Sequence, residues 1–197
     1  MSPIEQVLLL VVNTVGSLFT LVVLLRFLLQ LVRADFYNPI SQFIVKATNP
    51  VLVPMRRMVP SVAGLDTASL ILSYAAQVIY LGIVSWMLGI PLGPQLLIWA
   101  MIGWLGLFIN IYFFGLLIMV IASWIAPNSY NPVLILINQI LEPVMRPIRS
   151  KMPDMGGLDL SPLIFILALQ IFEILLLTPL MQMAQVPGIL AQAVIGL

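Results

Sequence analysis

At 197 residues the chain is long enough for one soluble domain, but it is 62% hydrophobic and only 8% charged. A soluble domain keeps about 25% of its residues charged, whereas Thr67 to Leu141 holds no charged residue here. The chain also has no cysteine and no histidine, which excludes disulfides, thiolate chemistry, the usual zinc, copper and haem ligands, and Ser-His-Asp or Cys-His nucleophiles. The class implied is an all-α, polytopic membrane protein.

The opening MSPIEQVLLLVVNTVG carries Glu5 where a cleavable signal carries positive charge, and its apolar run is too long for one. It reads as the start of a retained first span. A crossing takes about 20 mostly apolar residues, and it must be helical because a lone strand leaves its backbone unsatisfied in lipid. The first span covers about 7–32 and runs past Arg26 and Gln30; a charged connection follows, and the second span is about 70–90. Gly89 to Gln95 (GIPLGPQ) is a short uncharged turn into the third span, about 96–125, which is long enough that it must tilt or hold its first turns outside the hydrocarbon core. A second charged connection leads to the fourth span, about 163–180, with Glu173 inside it. The final VPGILAQAVIGL is apolar but too short to cross, and either lies along the interface or packs on the bundle.

The two long connections hold every Lys and Arg except Arg26. Basic loops mark the cytoplasmic side of a membrane, so both connections are expected there, with both termini and the 89–95 turn opposite. Trp86, Trp99 and Trp104 near that turn fit an aromatic belt at the outer interface.

The connections are copies. Tyr37–Asp66 lies on Tyr130–Asp159 with a shift of 93 and no gap, giving twelve identities in thirty positions. Prolines and a glycine, the residues that fix backbone shape, fall in register, which bias toward Leu and Val would not produce. The chain therefore divides into repeats at 1–93 and 94–197. With two spans each, they share one orientation, as parallel repeats about an axis along the membrane normal.

Each copy opens on Tyr-Asn-Pro, with Asn38 or Asn131 as helix cap and Pro39 or Pro132 at the first helical position. A short interfacial helix is expected next, with Ile40, Phe43, Ile44 and Ala47 on its apolar face. Pro50 and Pro54, or Pro143 and Pro147, are expected to end it in a proline-rich cytoplasmic loop. Gly64 and Gly157 then supply a sharp turn, and Asp66 and Asp159 cap the next span. Arg56, Arg57, Arg149 and Lys151 admit two readings. They anchor the loops and snorkel to headgroup phosphate, or Arg56 and Arg149 form one platform for anionic lipid or a partner protein.

The paired Y-N-P, P-x-x-x-P-x-R and G-L-D motifs resemble those of the YggT family, related to the plastid YlmG proteins, over essentially the whole chain. The second copy departs at Glu142, where the first has Asn49, and at Ser150, where it has Arg57. The resemblance implies a bacterial inner-membrane or plastid-membrane protein without established catalysis. It also implies association with the assembly or distribution of membrane complexes, and with osmotic or ion tolerance.

Charged groups inside spans are costly and are functional candidates by default. Arg26 and Glu173 are expected to face the bundle interior and pair, or else Arg26 snorkels while Glu173 hydrogen-bonds as a neutral acid. Asn13, Gln30, Gln77, Asn110 and Gln170 would line a polar path with them in a proton or cation relay. The leading reading is thus a non-enzymatic scaffold or assembly factor acting through its repeated cytoplasmic Pro/Arg loops, and the alternative is a small ion or osmolyte transporter or channel component using Arg26 and Glu173. Expected partners are anionic headgroups and a membrane protein, with self-association as a further form; no cofactor, metal or nucleic acid is expected.

Overall fold

The structure is a computed structural model describing residues 2–62, 64–126, 129–152 and 159–195. The described residues are helical, with no strand beyond one isolated bridge between Val62 and Leu65. Four helical stretches are long and apolar enough to cross a membrane: α1 (Pro3–Leu31), α3 (Thr67–Met87), α4 (Gln95–Ile125) and the run Ser161–Met183. That run comprises α6 (Ser161–Phe172), a π-helical turn (Glu173–Leu177) and α7 (Thr178–Met183).

Between the spans of each repeat lies an amphipathic helix, α2 (Pro39–Met58) or α5 (Pro132–Arg149). The Asn-Pro starts act as expected: Asn38 accepts from the Ile40 amide and Asn131 from the Val133 amide, each at 2.9 Å. The expected proline break does not occur, because both helices run on through Pro50 and Pro54, or Pro143 and Pro147. A proline removes the bond to the carbonyl four residues back, so prolines four apart free carbonyls along a single stripe. In α2 that stripe is Lys46, Pro50 and Pro54, all exposed, so the freed carbonyls are not buried in the bundle core. The packed face also differs from the expected one. It is Ser41, Ile44, Thr48 and Leu52, while Phe43 is 64% exposed.

The amphipathic helices meet near their starts, at one end of the bundle. The Asn38 Nδ2 donates to the Pro132 carbonyl at 2.8 Å, and the Asp35 amide donates to Gln139 Oε1 at 3.1 Å. Beneath this junction Leu24, Phe27, Leu28, Ile44, Leu136 and Ile140 share one apolar cluster. An edge-to-face series of rings, Phe27–Phe108, Phe108–Trp104 and Trp104–Tyr74, ties α1, α4 and α3 together.

Only one of the three expected belt tryptophans faces outward. Trp86 is 73% exposed, but Trp99 is buried with its Nε1 donating to the Ala184 carbonyl at 2.9 Å. Trp104 Nε1 donates to Ser73 Oγ at 2.9 Å. An indole N–H needs a partner when it is buried, and each of these has one. The tail packs on the bundle: α8 (Ala191–Ile195) lies against α4, with Leu190 and Val194 in the core beside Trp99 and Ala100. Gly103 permits this approach, since a Cβ there would sit 2.3 Å from the Val194 carbonyl oxygen.

Candidate functional site: one Arg–Asp pair in each repeat

The repeated arginine and the repeated aspartate stand ten residues apart, and in both copies they bind each other. In the first repeat Arg56 Nη2 meets Asp66 Oδ2 at 2.5 Å and Gln30 Oε1 at 3.0 Å. The α2 helix carries Arg56 to the base of α3. There Gly64, at φ 80°, turns the chain so that Asp66 faces back toward it. Asp66 also caps α3 through the Ser69 amide at 3.4 Å, and its side chain is 1% exposed. Burial pushes its carboxyl up, but the hydrogen bonds from Arg56 and Ser69 outweigh that and hold it below the ordinary value of 3.8.

In the second repeat Arg149 Nε donates to Asp159 Oδ2 at 3.0 Å, and Arg149 Nη1 meets Glu142 Oε2 at 3.4 Å. All three side chains are 42–51% exposed. Asp159 accepts from the Ser161 amide at 2.9 Å, just ahead of α6. Slight burial raises its carboxyl, while Ser161 and Arg149 hold it below the ordinary value. Gly157 lies outside the described residues.

Each arginine is thus engaged within its own repeat. Arg56 and Arg149 stand seventeen residues along α2 and α5 from Pro39 and Pro132, roughly 25 Å of helix from the junction where those helices meet. Arg57 and Lys151 are exposed. The pairing had a signal in the sequence: arginine and aspartate recur together at one spacing, as two halves of a contact do.

Arg26 and Glu173 do not pair. Arg26 is 6% exposed and lies over the Phe36 ring, 5.0 Å from its centroid. Glu173 opens the π turn in the last span, and among the described residues no ion pair reaches it. The cause is positional. Arg26 is near the 32–36 end of α1, close enough to Arg56 and Asp66 to feel both charges, whereas Glu173 lies mid-span, at the position matching Tyr80 in the first repeat. The expected polar path is scattered too: Gln30 accepts from Arg56, Asn13 accepts from Tyr80 at 3.2 Å, and Gln170 is exposed.

The second repeat also has a cleft of about 810 Å³ between α4, α5 and α6. Leu116, Met119, Met145, Leu163 and Ile166 line it, and Arg149 and Asp159 stand among the wall residues. The matching positions in the first repeat, 93 residues earlier, are Val23, Arg26, Leu52, Leu70 and Ser73, beside the Arg56–Asp66 pair.

The two halves carrying these pairs are also the two halves that a known family recognises. The family model for CCB3/YggT matches the chain twice, over residues 5–87 and 98–180. The chain belongs to the CCB3/YggT family. An uncharacterized protein of Pseudomonas aeruginosa is 49% identical over 180 residues, which is 90% of this chain and 91% of that protein. YggT of Escherichia coli (strain K12) is 38% identical over 165 residues, covering 82% and 84%. A Haemophilus influenzae protein is 34% identical over 153 residues, covering 78% and 82%. No solved structure matches. Each segment matched by the CCB3/YggT model spans one Arg–Asp pair and its proline-bearing helix as well as the two membrane-crossing helices of that repeat.

Proposed function

We propose that this YggT-family protein is a non-enzymatic scaffold of the bacterial inner membrane, with α2 and α5 on the cytoplasmic side. Its second repeat holds a transmembrane helix of a partner membrane protein. The observation carrying this reading is the asymmetry between the repeats. One position is filled by Arg26, Gln30, Arg56 and Asp66 in the first copy and is an apolar cleft of about 810 Å³ in the second. Such a cleft is lined by the side-chain types that pack between helices, and it opens where a neighbouring helix in the bilayer reaches it. The absence of histidine and cysteine supports a role without Ser-His-Asp or Cys-His nucleophiles and without the usual zinc ligation.

Photo-crosslinking in cells tests this, with the probe at Leu163 and, as an internal control, at the matching Leu70. A discrete membrane-protein adduct from position 163 and none from position 70 is expected. A self-adduct at 163 would make the occupant a second copy instead. Equal adducts at both positions, or lipid adducts alone, would overturn the reading.

One observation favours ion or osmolyte transport as a second reading. The π-helical turn at Glu173–Leu177 interrupts the last span at its only charged residue, and such turns concentrate at functional sites. Unchanged ion flux and salt tolerance in Glu173→Gln would end that reading.

A further inference from the structure

Arg26 is a buried guanidinium without a carboxylate of its own. Its Nε and Nη1 atoms are buried and have no hydrogen-bond partner. Asp66, whose charge acts on it, is bound to Arg56, and the Asp35 carboxylate accepts from the Tyr37 amide at 2.8 Å. The Phe36 ring offers a cation–π contact, which offsets part of the burial cost but takes up no N–H. A buried charge with unmet donors is among the costliest features a fold retains.

The same side chain lines a cleft of about 400 Å³ with Gln30, Arg33, Ala34 and Phe36. Arg33 is held there by an unusual backbone. It follows α1 at φ 54°, a left-handed conformation more often given to glycine, while the Ala34 amide bonds back to the Leu29 carbonyl at 2.8 Å. Two arginines therefore line one cleft at the end of a span, with Arg56 close behind Gln30.

We propose that this cleft is an anion site for a phosphate-type group, with Arg26 as its main donor and Arg33 as its second. The guanidinium fork matches two oxygens of a phosphate. Arg26 stands seven residues before Arg33, about 10 Å along the helix, so its side chain reaches the level where a span meets headgroups. The phosphate-type group belongs either to a phospholipid or to a free anion. This site is independent of the partner cleft in the second repeat, whose matching position carries Met119.

The test is thermal unfolding of the delipidated full chain in non-ionic detergent. It is titrated with phosphatidylglycerol, with phosphatidylcholine, and with inorganic phosphate against chloride at matched ionic strength. A saturable rise in midpoint is expected with a phosphate-bearing ligand. A rise with lipid alone assigns the site to a headgroup, and a rise with inorganic phosphate assigns it to a free anion. Arg26→Met should abolish the rise, and Arg33→Gln should weaken binding by about tenfold, as loss of one charge-assisted hydrogen bond does. Arg57→Gln, outside the cleft, should leave it intact. Should Arg26→Met not fold, Arg26→Lys serves in its place, keeping the charge without the fork and weakening binding by a similar factor. No saturable rise with any of these ligands, or a full rise in Arg26→Met or Arg26→Lys, overturns the proposal.

Discussion

Asp66 and Asp159 occupy the same place in two copies of one motif, yet the side chain of Asp66 is 1% exposed and that of Asp159 is 42% exposed. The motif is the same, so the difference comes from the spans around it. In the first repeat Gly16 on α1 lets the Tyr80 ring lie directly on the helix, and α1 and α3 pack closely along much of their length. Ile109 and Glu173 stand at the matching positions in the second repeat, where the last span carries a π turn and packs far less against α4. Arg26 and Gln30 then fill the first site, whereas Met119 and Ser123 leave the second open. Duplication conserved the contact, and divergence of the spans decided whether its aspartate is buried or exposed.

The contrast is broken most sharply at the aspartates. Asp66→Asn leaves Arg56 without its ion pair near the buried Arg26, and should cost about 3 kcal/mol. This is the low end for breaking a buried pair, because Arg56 keeps a third of its side chain exposed. Asp159→Asn should cost less than about 1 kcal/mol, as exposed pairs do. Thermal or denaturant unfolding in detergent compares the two, and equal costs would refute the sealed-versus-open distinction. Acid adds a second axis. A carboxyl held below its ordinary value stabilises the fold fully above that value, and the contribution is lost as pH falls below 3.8 through its folded-state value. Asp66→Asn should therefore show a smaller acid-induced loss of stability than the wild type.

Next in size is Gly16. A Cβ at this position would lie 2.4 Å from the Tyr80 ring, and a packed ring has little room to yield. Gly16→Ala should cost about 1–3 kcal/mol by overpacking, measured by the same unfolding. It should also loosen the α1–α3 contact enough to raise hydrogen exchange at Asp66 and Ser69. A neutral outcome would mean that this close approach is not what seals the first repeat.

Much of this architecture is written in the chain at the level of pattern. Long uncharged runs give the spans, and the register of prolines gives the repeat, because both are properties of residue type and spacing alone. What the pattern does not carry is the direction in which side chains face. Proline argues locally against helix, yet four-residue spacing puts the cost of Pro50 and Pro54 on one exposed stripe, so tertiary packing of Ile44 and Leu52 prevails. Trp99 and Trp104 read as interfacial by position, but their burial depends on acceptors, Ala184 and Ser73, that only the fold supplies. The expected union of Arg26 and Glu173 failed for the same reason: opposite charges in two apolar spans suggest a pair, while depth and facing, which decide it, are not local properties. The Arg56–Asp66 contact left a signal in its repetition at one spacing, but taken singly the arginine reads as an anchor and the aspartate as a cap.

The smallest expected effect separates the sites by their exposure to solvent. Glu142, which replaces Asn49 of the first copy, gives Arg149 a second carboxylate at 3.4 Å, with the two side chains 44% and 51% exposed. Such a pair is worth about 0.5 kcal/mol or less, and Asp159 remains to hold the arginine when it is lost. Glu142→Gln should thus shift the unfolding midpoint only slightly at low ionic strength and not at all near 1 M salt, where screening acts over about 3 Å. The cost of Asp66→Asn should persist under the same salt, because ions do not reach a carboxylate that is 1% exposed. A salt-resistant effect at Glu142 would show that the second site is closed in the membrane, and the partner cleft beside it would then have to be closed as well.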